Sequence, residues 1–287
     1  MNGTDLLNIA VASVFTVEVA LGLMIIFGVM RVINMAHGEL FMLGAYTMVV
    51  VTSAGLSPWV GIVLAPLVVG AFGMAVERAM IRPLYQRRDL SSLLATFGLS
   101  IVLQQAVRLI FGPQSKTVPT PIEGSVSLLG TTYPTYRLVA ATMAILVIVA
   151  VGLLLYRSSF GIRVRATIEG AEVAEALGTN TTRIASLAFA LGAALAGFAG
   201  ALMAPFIGVV STMGLEQTVR SFLVVITGGM GSIAGTFGGG VLIGGGESAL
   251  TIPFSGTVAQ ICVLGLAILV MLVRPQGLFS RGGVRTA

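Results

Sequence analysis

Apolar runs of about 20 residues recur along this chain, at about 9–30, 32–53, 59–80, 92–111, 137–156, 184–210 and 256–273. Each is long enough to cross a hydrocarbon core about 30 Å thick, and none shows the strict alternation of a membrane-barrel strand. Lipid offers backbone N–H and C=O groups no water, so spanning segments of this kind fold as helices. Composition agrees. Only 9% of the 287 residues are charged and 56% are hydrophobic, with a mean hydropathy of +1.01. A soluble domain is roughly a quarter charged. The sequence therefore predicts an all-α, polytopic helical bundle of about eight transmembrane helices, organised as one domain over residues 1–287. Thirty-seven glycines point to closely approaching helices.

Arginines and lysines set the expected orientation. Arg31, Arg78, Arg82, Arg87, Arg88, Arg157, Arg163, Arg165, Arg183, Arg274, Arg281 and Arg285 fall on one side of the spans, against Arg108, Lys116, Arg137 and Arg220 on the other. The first group marks the cytoplasmic side, which puts the N-terminus outside and the C-terminus inside. The net charge of +5 then reflects basic loops rather than a nucleic-acid partner. The first residues lack the basic region of a cleavable signal peptide, so the first span is expected to direct insertion. The lone Cys262 lies in an apolar run, which leaves no disulfide framework and no cysteine metal site.

Two stretches break the pattern. The second span opens with Asn34, His37 and Glu39, three polar groups in six residues, with Gly38 beside the chain's only histidine. Ionisable groups within a bilayer are costly and mark pathways, although here they sit near the expected cytoplasmic boundary. Late in the chain, 221–227 is too short to span, 228–232 is glycine-rich, and a second glycine-rich run covers 235–250. For the C-terminus to be inside, 213–253 must start and finish on the outer side, as a re-entrant hairpin or two half-helices. Glycine-interrupted segments near 34–44 and 228–246 thus correspond between the two halves, an arrangement expected around a substrate path. The candidate path residues are Asn34, His37, Glu39, Glu18 in mid-span one, Gly228 and Glu247.

The run GVMRVINMAHGELFMLGAY, residues 28–46, resembles the signature of the branched-chain amino acid ABC permeases, specifically their H-type (Liv) subunit. Close relatives in that family carry urea or amides. The polar segment FGIRVRATIEGAEVAEALGTNTTRI, residues 160–184, lies in the long loop at about 157–183. Its residues 171–177 can form a short helix that Gly178 ends, and Asn180 or Thr181 can cap the next span. It resembles a loose form of the EAA loop of ABC importers, which implies a coupling helix docking on an ATPase subunit through Glu169, Glu172, Ala174, Glu175, Leu177 and Gly178. The ending RPQGLF at 274–279 resembles the usual close of the family and acts as a basic stop after the last span.

The resemblance implies a multi-pass permease subunit of the bacterial inner membrane, forming half of a translocation pathway. Its implied partners are a homologous M-type permease, two ATP-binding subunits and a periplasmic or lipid-anchored solute-binding protein. No G-x-x-x-x-G-K-[ST] run occurs, so ATP and Mg would be bound by the partner ATPases, with no cofactor in this chain. No His/Cys cluster or Ser/His/Asp set can be assembled, which argues against an enzyme. The cargo stays open between branched-chain amino acids and urea or amides. The reading from a different class is a channel or secondary transporter with His37 and Glu39 as a proton-sensitive gate.

Overall fold

The computed structural model describes residues 2–85, 89–128 and 130–279. Arg87, Arg88, Arg281 and Arg285, counted above for orientation, lie outside the described residues.

Helix α1 (Gly3–Met30) opens on an Asn2–Asp5 capping box and ends where Arg31 adopts the left-handed conformation at φ 54°, its N–H capping the Phe27 carbonyl. Residues 31–36 are not helical, and α2 (His37–Ser53) follows. Gly55, at φ 76°, and Pro58 turn the chain into α3 (Pro58–Val76). That helix continues through one wider turn, Glu77–Ile81, and one tighter turn, Arg82–Leu84. Helix α4 (Asp89–Phe111) leads to a loop carrying an antiparallel hairpin of β1 (Ser125–Leu128) and β2 (Thr131–Pro134). Next come α5 (Thr135–Arg157), α6 (Ser159–Glu169), α7 (Ala171–Ala176) and α8 (Thr181–Met203). The last part comprises α9 (Met213–Gly228), α10 (Ile233–Gly240) with a wide turn at Val241–Gly245, α11 (Gly246–Leu250) and α12 (Gly256–Val273).

Among the described residues six helices are long and apolar enough to cross a membrane, and the pair 213–228 and 233–250, bent by 120°, makes a seventh candidate if it counts as one span. The expected count was about eight. The difference is α2: its 17 residues rise only about 25 Å, because 31–36 is non-helical, with Arg31 left-handed and a turn at 35–36. The 213–253 region is two helical arms bent by 120°, which fits both the re-entrant hairpin and the half-helix options.

Helices α1 and α8 form the buried centre, while α3, α4, α5 and α12 present apolar outer faces. Small residues make this centre possible. Added Cβ atoms at Gly22 and Gly192 would each press on the other's carbonyl oxygen, at 2.6 and 2.5 Å, so α1 and α8 touch through their backbones. Gly44 against Gly197, and Gly200 against the Phe41 carbonyl, do the same for α2 and α8. This corrects the expectation of a glycine-broken segment over 34–44. The break lies at 31–36, and Gly38 and Gly44 are inside an unbroken helix, where they serve close approach.

The two ends of the bundle differ in charge. Arg31, Arg82, Arg165 and Arg183 belong to elements that meet at one end, around cavities shared by Met30, Tyr85, Ile168 and Thr182. Lys116, Arg137 and Arg220 belong to the other, with the β-hairpin: Lys116 pairs with Val209, and Arg137 and Arg220 line a cavity with Asn8 and Phe206. These are called the basic end and the hairpin end below.

Candidate functional site

The start of α2 is set deep in the bundle. His37 donates through Nε2 to the Val19 carbonyl at 3.0 Å, and its ring lies 3.2 Å from where a Gly22 Cβ would be. That level is eight to eleven residues before Met30, roughly 12–16 Å from the basic end of α1. His37 is therefore level with the middle of α1 rather than with its basic end. The non-helical strap 31–36 runs back into the bundle to reach it.

Irregular backbone at this depth needs protein partners. Two threonines supply them. Thr96 Oγ1 on α4 accepts from Met35 N–H at 3.1 Å and lies 3.1 Å from the Ile33 carbonyl. Thr218 Oγ1 on α9 accepts from Gly38 N–H at 2.9 Å. Asn34 Oδ1 closes the strap on itself through Ala36 N–H at 3.1 Å. Glu39 Oε1 accepts from Ser100 Oγ at 2.9 Å and Gln104 Nε2 at 2.7 Å on α4, while its carboxyl packs on Gly214, whose added Cβ would lie 2.7 Å from Glu39 Cδ. Asn34, His37 and Glu39 are thus brought together and fully buried. Asn34 Nδ2, His37 Nδ1, Glu39 Oε2 and both oxygens of Glu18 have no hydrogen-bond partner among the described residues. Glu18 adjoins Val19, the residue His37 binds.

Gly228 sits at the bend of the α9–α10 pair, packed backbone to backbone on Gly235. The bend is held at the basic end: Leu278 N–H and Phe279 N–H donate to the Thr227 and Gly228 carbonyls at 2.8 and 3.2 Å. Glu247 is elsewhere. Arg220 on α9 pairs with it at 2.8 Å and with Glu216 at 3.0 Å, on the wall of a cavity of about 510 Å³ between α9, α11 and α12. Arg220 was counted only as an outer-side charge. The i,i+4 spacing of Glu216 and Arg220 was the sequence signal that both face one way on a helix.

The 157–183 loop forms two helices. Ser158 Oγ caps α6 through Gly161 N–H at 3.0 Å. Gly178, at φ 84° in open space, ends α7, and Asn180, rather than Thr181, caps α8 through Arg183 N–H at 2.9 Å. Glu169 closes α6, and Glu172, Ala174 and Glu175 fall in α7 with Leu177 after it. Ala174 is buried, whereas Val173 and Leu177 are 66% and 81% exposed beyond the ends of the spans. On the inner side, Ile168 of α6 packs on Gly28 of α1 and on Gly231 in the bend.

A further cluster at the basic end had no motif to announce it. The Glu77 carboxylate is buried and accepts from Tyr85 Oη and Ser186 Oγ, both at 2.7 Å. Arg82 reaches Ser186 Oγ at 2.6 Å and Glu77 at 3.4 Å. Burial, then the hydrogen bond to Glu77, pushes the Tyr85 phenol up, so it stays a neutral donor. The cluster ties the end of α3 to α8. No group of three or more His, Cys, Asp or Glu side chains that could hold a metal occurs among the described residues.

Comparison with known proteins agrees with this architecture. Residues 6–273 match the family model described as branched-chain amino acid transport system / permease component. The chain is 31% identical to the high-affinity branched-chain amino acid transport system permease protein LivH of Salmonella typhimurium, over 92% of this chain and 90% of that one. It is 32% identical to the corresponding permease protein BraD of Pseudomonas aeruginosa, over 92% and 91%. It is also 28% identical to LivM of Salmonella typhimurium, over 94% of this chain and 69% of that one. No solved structure matches. A bundle of membrane-length helices, a polar elbow between two of them and a match over nearly the whole chain lead to one conclusion: this multi-pass membrane protein belongs to the family of branched-chain amino acid transport system permease components.

Proposed function

We propose that the chain is the permease subunit of an ATP-driven importer for branched-chain amino acids, forming half of the translocation pathway in the bacterial inner membrane. The observation that carries this reading is the α6–α7 elbow. It offers Val173 and Leu177 to water on one side and touches α1 and the α9–α10 bend through Ile168 on the other. An apolar pair on a short exposed helix fits a groove on a soluble partner. In this reading the partner is an ATPase subunit that binds ATP and Mg, and the basic end is cytoplasmic, as the arginine distribution favours. Glu169, Glu172, Ala174, Glu175, Leu177 and Gly178 form the coupling element. The second half of the pathway is a homologous M-type permease, and a periplasmic or lipid-anchored binding protein delivers substrate at the hairpin end.

The buried start of α2 then acts as the fixed point of alternating access, with Asn34, His37, Glu39 and the neighbouring Glu18 inside it. Gly228 marks the bend that moves, and Glu247 faces the path. The test is uptake of radiolabelled leucine and urea into proteoliposomes holding the four-subunit complex and its binding protein. Leucine uptake that needs ATP and is lost in Gly178→Pro supports the reading, because proline cannot adopt the φ of 84° required there. Uptake that ignores ATP and the substitution refutes it in favour of a channel. Uptake of urea alone refutes the amino-acid assignment.

A further inference from the structure

The Arg220–Glu247 pair stands in a setting that a structural salt bridge does not need. Its cavity, about 510 Å³, falls within the size range of small-molecule sites. The wall is apolar, from Leu215, Val219, Leu223, Ile243, Val263 and Leu264. The lining also includes Arg220, Glu247, the more exposed Glu216 and Gln260 of α12. The Arg220 and Glu247 side chains are 23% and 15% exposed, so the pair is neither packed over nor freely solvated. Arg220 also lines the second cavity, about 250 Å³, with Asn8, Arg137 and Phe206 at the hairpin end. One side chain therefore borders both the space facing the hairpin end and the apolar cavity.

We propose that this cavity is a substrate site for a hydrophobic amino-acid zwitterion, with Arg220 binding its carboxylate and Glu247, with Glu216, its ammonium. The inference rests on the importer reading above and names where in the permease the cargo is held. Arg220 presents five donors, of which Nη2 is engaged by Glu216 and Glu247, so its fork can still take a carboxylate. Two carboxylates against one guanidinium leave an excess negative charge that suits an ammonium group. A zwitterion adds one charge of each sign, its carboxylate joining Arg220 and its ammonium the two acidic side chains, and the aliphatic side chain covers the Leu223–Leu264 wall. A neutral amide or urea satisfies neither charge and leaves the apolar wall bare. The site thus favours the amino-acid branch on chemistry that is independent of the relatives' names.

The experiment uses the reconstituted complex with saturating binding protein, measuring leucine and valine uptake side by side, with copurification of all subunits as the assembly control. Glu247→Gln is expected to lower leucine uptake about tenfold, the loss of one charge-assisted contact, and Glu247→Asp to recover most of it. Leu264→Trp adds volume to a position 44% exposed at the cavity wall. It is expected to slow leucine more than the shorter valine, raising the valine-to-leucine ratio by about threefold or more. A structural defect would lower both solutes alike. If Glu247→Gln does not assemble, the Leu264→Trp ratio decides alone. Variants that carry both solutes at wild-type rates and ratio overturn the site while leaving the importer standing. A wild-type complex that carries neither amino acid overturns the importer's cargo and this site with it.

Discussion

Thr218→Val tests whether the strap at 31–36 depends on side-chain hydroxyls. Valine keeps the shape of threonine and replaces Oγ1 with a methyl, so no cavity forms. What changes is that the Gly38 N–H, bonded to Thr218 Oγ1 at 2.9 Å in a fully buried setting, loses its acceptor. Interhelical hydrogen bonds in membranes average only about 0.6 kcal/mol in global stability, because the unfolded chain in lipid finds other partners. The local cost is larger. Gly38 lies in the first turn of α2, where an N–H has no partner within the helix, so orphaning it costs about 1–3 kcal/mol. At about 2 kcal/mol, opening of the α2 start is favoured roughly 30-fold, and exchange of the Gly38 amide rises by that factor. Hydrogen exchange in nanodiscs, read by mass spectrometry on a peptide covering 31–44, measures it. Thr218→Ser, which keeps the hydroxyl, serves as control. Thr96→Val should act on Met35 in the same way through α4. If Gly38 exchanges at the wild-type rate in Thr218→Val, the strap is held by backbone packing alone, and the argument from buried donors fails.

Gly44→Ala and Gly200→Ala push α2 and α8 apart where their backbones touch, and each is expected to cost about 1–3 kcal/mol in thermal unfolding in detergent. Gly98→Ala on α4, with nothing within 4 Å, should be neutral or stabilising by up to about 1 kcal/mol. Glu77→Ala strips a buried acceptor from Tyr85, Ser186 and Arg82 and should destabilise by about 2–3 kcal/mol, against about 1 kcal/mol for Tyr85→Phe in the same melts. Val173→Ala with Leu177→Ala leaves the fold within about 0.5 kcal/mol, since both side chains are exposed, yet should abolish copurification of the ATPase subunit. Full copurification would place the docking contact elsewhere.

Whatever depends on local pattern is legible in the sequence. Apolar run length gave the spans, because a helix must satisfy its own backbone in lipid. Gly178 marked the end of the elbow helix, and Asn180 or Thr181 the cap of the next span, because a left-handed turn and a capping side chain are local requirements. The glycines at 228–232 marked the bend of the α9–α10 pair. Tertiary structure decided what depends on distant partners. The polar residues from Asn34 to Glu39 marked a break near the start of α2, but only Thr96 and Thr218, 62 and 184 residues beyond Asn34 in the chain, show how the backbone can stay non-helical at 31–36. Gly38 and Gly44 looked like helix breakers, but the backbones opposite them, on α9 and α8, make them contact points. Arg220 counted as one outer-side charge among four until the bend carried Glu247 back beside it. A sequence fixes which segments enter the membrane through free energies each segment carries by itself. Which polar group answers which inside the bundle is set by helices that meet only after the chain has folded.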